Sequence, residues 1–303
     1  MARLLLCLLA GGARAQWPQV GEINVYGPRR VPAQRVLAAA QVREGQTLPP
    51  SKGDLEARLE HVPGVVAASV QVECCDAAGR AILFIGVEEK GAPHFAPRSD
   101  ASGNASLPQE VLEAHARLLE AARGGVQAPM ADVATAHLAA LRDCLRQCSI
   151  AEQRAAAATV MGSAPRPQEV VGDLQYALQD ASESVRRNAA RSLAAMAARE
   201  PTLRIPATWF VEMLNSLALS DRLEAAGMLV TLTERDTAAL EQIRKRALDS
   251  VIEMARWRSL RYALPAFLLA GRLAGVADAE VQQAWSEGRR DEILAKLSAV
   301  RLK

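Results

Sequence analysis

From Pro108 to Lys303 the apolar residues recur at helical spacing, in successive pairs of segments. Val111, Leu112, His115, Leu118 and Leu119 form one stripe. Leu138, Leu141, Cys144, Leu145 and Cys148 form the next, and Arg154 opens a partner run of alanines ending in Val160 and Met161. The pairing recurs over Val170–Gln179 with Ser184–Arg199, and over Thr208–Leu219 with Asp221–Thr233. A longer fourth pair runs through Leu240, Ile243 and Val251 to Trp257, Leu264 and Phe267. Val281, Trp285, Ile293 and Leu297 then form a capping element. Such a pattern predicts an all-α region of stacked helix pairs over residues 108–303, each burying against its neighbours a face that it could not bury alone. With half the residues hydrophobic but only 4% aromatic, the chain suits close helix packing better than a β-sandwich.

Val20–Lys90 follows a different rule. Ile23 and Val25 mark a short strand stopped by Gly27-Pro28. A helical pattern from Pro32 places Val36, Leu37 and Ala40 together, with Gly45 as its end. Ser51 is an N-cap with Asp54 three residues on, and the helix that it opens carries Leu55, Leu59 and Val62 on one face up to Pro63-Gly64. Val66, Ala68, Val70 and Val72 alternate as a strand. Asp76–Gly79 supplies a turn, and Ala81–Val87 completes a hairpin. The expectation is an α+β domain of βααββ order, a three-stranded sheet with one buried face under two helices, followed by an all-α solenoid; the chain is mostly α. Gly91–Leu107, rich in Pro, Ala, Ser and Gly and without period, reads as the linker. Met1–Ala15 reads as an export signal: Arg3, an apolar Leu4–Leu9 and an Ala13-Arg14-Ala15 cleavage pattern.

The residues of 20–90 resemble a POTRA domain. The resemblance is carried by Ile23–Gly27 (INVYG), Arg43–Leu48 (REGQTL), Leu55–Glu73 (LEARLEHVPGVVAASVQVE) and Ile82–Lys90 (ILFIGVEEK). It implies a periplasmic module that binds other proteins and carries no catalytic residues. The module occurs here once, and no alternating ten-residue strands of a membrane barrel follow it. Leu174–Ala197 (LQYALQDASESVRRNAARSLAAMA) resembles a HEAT repeat, with Asp180 at the turn and Val185, Arg186, Ala189 and Leu193 on the second helix. Asp180 and Arg186 read as structural glue: Asp180 caps or tethers that helix, with Arg186 as its candidate partner. Together the two resemblances imply a non-enzymatic scaffold of the cell envelope whose partners are envelope or outer-membrane proteins. An extended segment would add to the strand edge at Val66, Ala68, Val70 and Val72, and exposed Arg187 and Arg191 would favour an acidic partner.

The formal charge is +2, and Arg3 and Arg14 lie within the signal, so the remainder is near neutral and gives no argument for nucleic acid. There is no nucleophile elbow, phosphate loop or Gly-rich dinucleotide turn, and His61, His94, His115 and His137 are scattered, so neither enzyme nor cofactor is expected. Glu88-Glu89, at a strand end, read as solvated charge. The cysteines leave alternatives open. Cys74 and Cys75 are adjacent at a strand end, so a bond between them would be a strained vicinal one. Cys144 and Cys148 lie one helical turn apart, poorly placed to bond each other. The two pairs could join across the domains, or remain packed thiols. His137 shares the face of Cys144 and Cys148, which makes a soft-metal site, or a thiol-handling role, the second reading of function.

Overall fold

The computed structural model describes residues 18–123 and 130–301; the export signal expected over Met1–Ala15 lies outside them. The first five elements are β1 (Val20–Tyr26), α1 (Ala33–Ala40), α2 (Lys52–Glu60), β2 (Val65–Glu73) and β3 (Ala81–Glu89). The sheet order is β1-β3-β2, with β1 parallel and β2 antiparallel to the central β3. Ser51 caps α2 by accepting the Asp54 N–H at 3.1 Å. Helix α1 ends before its expected stop at Gly45, because Gln41 takes the left-handed conformation (φ 55°). The following segment turns back along β1, where Gly45 N donates to Val20 O (2.7 Å) and Val20 N to Gln46 O (2.8 Å). Asp76 closes the β2–β3 turn by accepting from the N–H groups of Ala78 and Arg80.

Both faces of β3 are buried, which corrects the expectation of one buried face. Leu83, Ile85 and Val87 pack with Val36, Leu55 and Leu59 under α1 and α2. Ile82 and Phe84 belong to the core of the helical region. A strand covered on both sides needs no polar alternation, and AILFIGV has none. Glu89 is also unlike the solvated charge read from the sequence. It is buried, and its Oε2 accepts from the N–H groups of Arg29 (2.7 Å), Arg30 (2.7 Å) and Val31 (3.1 Å). Burial alone would raise its pKa, but those three donors outweigh it and hold the carboxyl below its ordinary range.

The helical region begins with α3 (Gln109–Arg123), α4 (Ala131–Ala136), α5 (Leu138–Gln147) and α6 (Ala151–Met161). It continues with α7 (Val171–Ala177) and α8 (Glu183–Arg199), then α9 (Thr208–Met213) and α10 (Leu219–Thr233). The next first helix is divided at Ala247 into α11 (Ala238–Arg246) and α12 (Leu248–Ala255), and α13 (Leu260–Leu273) is its partner. α14 (Asp278–Ser286) and α15 (Arg290–Arg301) complete the array. The second helices α6, α8, α10 and α13 pack in succession. The alanines of α6 let α8 approach closely enough for Asn188 and Ser192 to donate to the Ala155 and Ala158 carbonyls (3.2 and 2.9 Å). No helix among the described residues is long and apolar enough to cross a membrane.

A ladder of buried arginines ties the pairs together. Arg154, Arg186 and Arg222 each donate to a main-chain oxygen six residues earlier, on Cys148, Asp180 and Ser216. Each also reaches an acid of the next pair: Arg154 to Asp180 (2.9 Å), Arg186 to Asp221 (2.8 Å) and Arg222 to Glu253 (3.3 Å). Asp180 does tether α8, accepting the Ser182 N–H at 2.9 Å, but its carboxylate holds Arg154 rather than Arg186. The pairing read from the sequence is therefore displaced by one repeat.

The stretch read as a linker, Gly91–Leu107, lies along the array as a strap. Phe95 and Leu107 are buried. Arg98 N donates to Gln179 O (2.7 Å), and the Arg98 guanidinium stacks over the Tyr176 ring at 3.3 Å. Asp100 accepts from Arg154, and Gly103 O accepts from Ser149 N (3.2 Å). The two main-chain bonds satisfy backbone of the strap that has no partner in a regular element.

In a chain of few aromatics, four meet where the sheet touches the array. Phe84 packs edge-on against Trp257 and Tyr262, with ring centroids 5.0 and 5.2 Å apart, and Tyr26 lies 6.1 Å from Trp257. The Tyr26 ring covers Gly86, where a Cβ would lie 2.5 Å from it. Tyr26 Oη donates to Leu217 O (2.8 Å). The last acid of the ladder, Glu253, accepts from Gly27 N (2.9 Å) and from Arg29 (3.4 Å). Burial pushes the Glu253 carboxyl above its usual range against the pull of Arg222 and Arg29. The ladder thus ends on the sheet unit.

Candidate peptide-binding groove

β2 is an edge strand, and its edge is only partly open. Ala68 N donates to Glu60 Oε1 (3.3 Å) and Val70 N to Glu56 Oε1 (2.7 Å), both acceptors standing on α2. Alternation along an antiparallel pair assigns the outward N–H groups to the even-numbered residues. Helix α2 therefore occupies the middle of the edge, a form of protection against unwanted pairing. Past Val70, the outward side of β2 faces a groove of about 580 Å³, within the size range of ligand sites.

One wall of the groove is β2 from Val70 to Glu73, with Leu55 and Leu83 beneath. A second is the Leu48–Lys52 segment that leads into α2. The third is the array, through Glu183 and Arg187 of α8 and Ser220 of α10. Val72 is 49% exposed, a large apolar side chain left to solvent beside this cleft. Most polar groups on the walls are matched. Lys52 lies 3.5 Å from Glu56, Tyr262 Oη donates to Glu73 (3.4 Å), and Ser220 Oγ donates to Glu183 (2.6 Å). Arg187 is different: its Nε is buried with no acceptor, and its guanidinium makes no ion pair among the described residues.

Of the residues singled out in the sequence, the fold brings Val70, Val72 and Arg187 together. Ala68 lies higher on the same edge, with its N–H engaged by Glu60. Val66, 57% exposed, sits at the far end of β2, outside the groove. Arg191 is turned to Glu224 at 2.6 Å. His137 bonds Glu110 at 2.9 Å. Cys144 and Cys148 are buried free thiols in the array core, and burial raises the Cys144 thiol pKa. Cys74 and Cys75 form an exposed vicinal disulfide just past β2, with the Cys74 carbonyl accepting from Tyr262 Oη (3.2 Å). Among the described residues no three His, Cys, Asp or Glu side chains gather as a metal site. Sequence reasoning missed Leu48–Lys52, Glu183 and Ser220. Pro49-Pro50 signals non-helical chain before α2, but nothing local links α8 to β2.

A larger cavity, about 870 Å³, opens between Gly172, the Pro201–Ala207 loop and Leu232. It has no strand edge, and its charges are satisfied or solvated: Arg235 donates to Pro201 O, Asp236 accepts from Ala238 N, and Arg204 is exposed.

Comparison with known proteins finds no matching family model, no matching curated protein and no matching solved structure.

Proposed function

We propose that the chain is a non-enzymatic adaptor of the cell envelope, exported to the periplasm, which holds an extended segment of another protein in the groove beside β2. The observation that carries this reading is the composite cleft itself, with a strand edge on one wall and a helical array on the other. Main-chain pairing to the outward groups beyond Val70 would supply affinity, and the apolar walls would select side chains. The resemblances of residues 20–90 to a POTRA domain and of the array to HEAT repeats support a protein-binding role, because both modules serve binding.

The test is affinity capture from solubilised envelope with the mature protein and with Val72→Pro. The Val72 N–H faces away from β3, so a proline there removes no ladder bond while blocking added pairing. A partner held by the parent and lost by the variant is the expected result. A partner retained by a folded Val72→Pro protein contradicts the groove reading. A thiol-handling role is the second reading, favoured by the exposure of Cys74 and Cys75. It requires that Cys74→Ser with Cys75→Ser abolish partner capture, which the groove reading does not.

A further inference from the structure

We infer that the segment taken by the groove presents a carboxylate side chain to Arg187, flanked by apolar side chains. This rests on the groove reading and adds the chemistry of the occupant. Helix α8 carries three arginines within two turns, and only one is unspent. Arg186 is locked to Asp221 and Arg191 to Glu224, whereas Arg187 reaches into the groove without an acceptor. The other charges on the walls already have partners, Lys52 with Glu56, Glu73 with Tyr262 and Glu183 with Ser220. The lining thus carries Lys52 and Arg187 against Glu73 and Glu183, and Arg187 is the cation among them without an acidic partner among the described residues.

The fold also turns helix ends toward the cleft. The N-terminal ends of α2, α8 and α10, helices of 9, 17 and 15 residues, all border the groove at Ser51, Glu183 and Ser220. Aligned peptide dipoles make such ends favourable to negative charge. Around Arg187 the walls are apolar, with Leu55, Val70, Val72 and Leu83. A carboxylate carried between apolar side chains matches both features: the planar guanidinium pairs with it through two hydrogen bonds, and its neighbours cover Val72. An uncharged segment would offer the Arg187 N–H groups only neutral oxygens, which bind a guanidinium more weakly than a carboxylate does.

The probe is an array of random 12-residue peptides screened against the full chain. The tightest peptide and its Glu→Gln or Asp→Asn counterpart are then titrated by fluorescence anisotropy. Replacing the acid by its amide is expected to weaken binding about 10- to 100-fold, as the loss of a charge-assisted pair implies. In Arg187→Gln that preference should disappear, and Val72→Pro should weaken both peptides. Equal binding of acid and amide, or a preference that survives Arg187→Gln, overturns this inference, while loss of binding in Val72→Pro still upholds the groove. Peptide binding untouched by Val72→Pro, or no peptide bound at all, overturns the groove reading and the inference with it. Unchanged urea midpoints for both variants show that the differences come from binding and not from unfolding.

Discussion

Phe84→Ala tests whether the sheet unit is welded to the array. Phe84 is fully buried, yet it lies outside the sheet's own core of Leu83, Ile85 and Val87 and contacts Trp257 and Tyr262 instead. Removing a buried phenylalanine side chain costs about 3–5 kcal/mol, the lost transfer energy plus the cavity left behind. The upper part of that range applies here, because two edge-on ring contacts vanish with it. In a protein of this size 1 kcal/mol moves the midpoint by about 2 °C, so thermal unfolding should fall by roughly 8–10 °C. Urea unfolding followed by far-ultraviolet circular dichroism gives the free energy directly. Were the sheet a free module on a linker, Phe84 would be a surface residue, and its loss would cost within about 0.5 kcal/mol. A change that small refutes the weld.

Other substitutions separate the remaining contributions. Glu89→Gln should destabilise the fold by about 1.5–3 kcal/mol at neutral pH, since three backbone donors lose an ionised acceptor. The Glu89 carboxyl is held low in the folded protein, so its contribution is present above the ordinary carboxylate pKa and is lost as pH falls through the folded value. Urea midpoints of parent and variant should converge in acid, and a difference independent of pH would rule this origin out. Arg154→Met should cost about 3–5 kcal/mol by leaving Asp180 buried without its partner. Arg191→Met, at the exposed pair with Glu224, should cost less than about 1 kcal/mol; equal costs in the two unfolding curves would contradict the ladder. Cys144 and Cys148 should resist alkylation until denaturant is added, because both are buried in the array core and burial raises the Cys144 thiol pKa. Peptide mass mapping reads this, and prompt native labelling would place them elsewhere.

Much of the fold is legible because its signals are local. The Ser51 cap, the Pro63-Gly64 break and the Asp76–Gly79 turn bound their elements, and the spacing of Leu55 and Leu59 fixes which face of α2 is buried. The features that build the candidate site are non-local. β3 reads as an apolar strand, but its composition does not say that Trp257 and Tyr262 cover its second face. Gly91–Leu107 has no period, and partners far along the chain, among them the carbonyl of Gln179, the ring of Tyr176 and the Arg154 side chain, pin it as a strap. The recurrence of Arg154, Arg186 and Arg222 is visible in the sequence. That each arginine takes its acid from the following pair becomes evident only when the helices are stacked. Val72 and Arg187 were separate candidates, and the docking of sheet on array is what makes them one groove.

Hydrogen–deuterium exchange of the full chain, with and without the tightest peptide from the array, addresses the groove most directly. Amides of residues 70–73, of 51–55 and of 183–187 should gain protection together, while residues 201–207 beside the larger cavity remain unchanged. Protection at 201–207, with residues 70–73 and 183–187 unaffected, would move the binding surface off the sheet edge and contradict the proposed function.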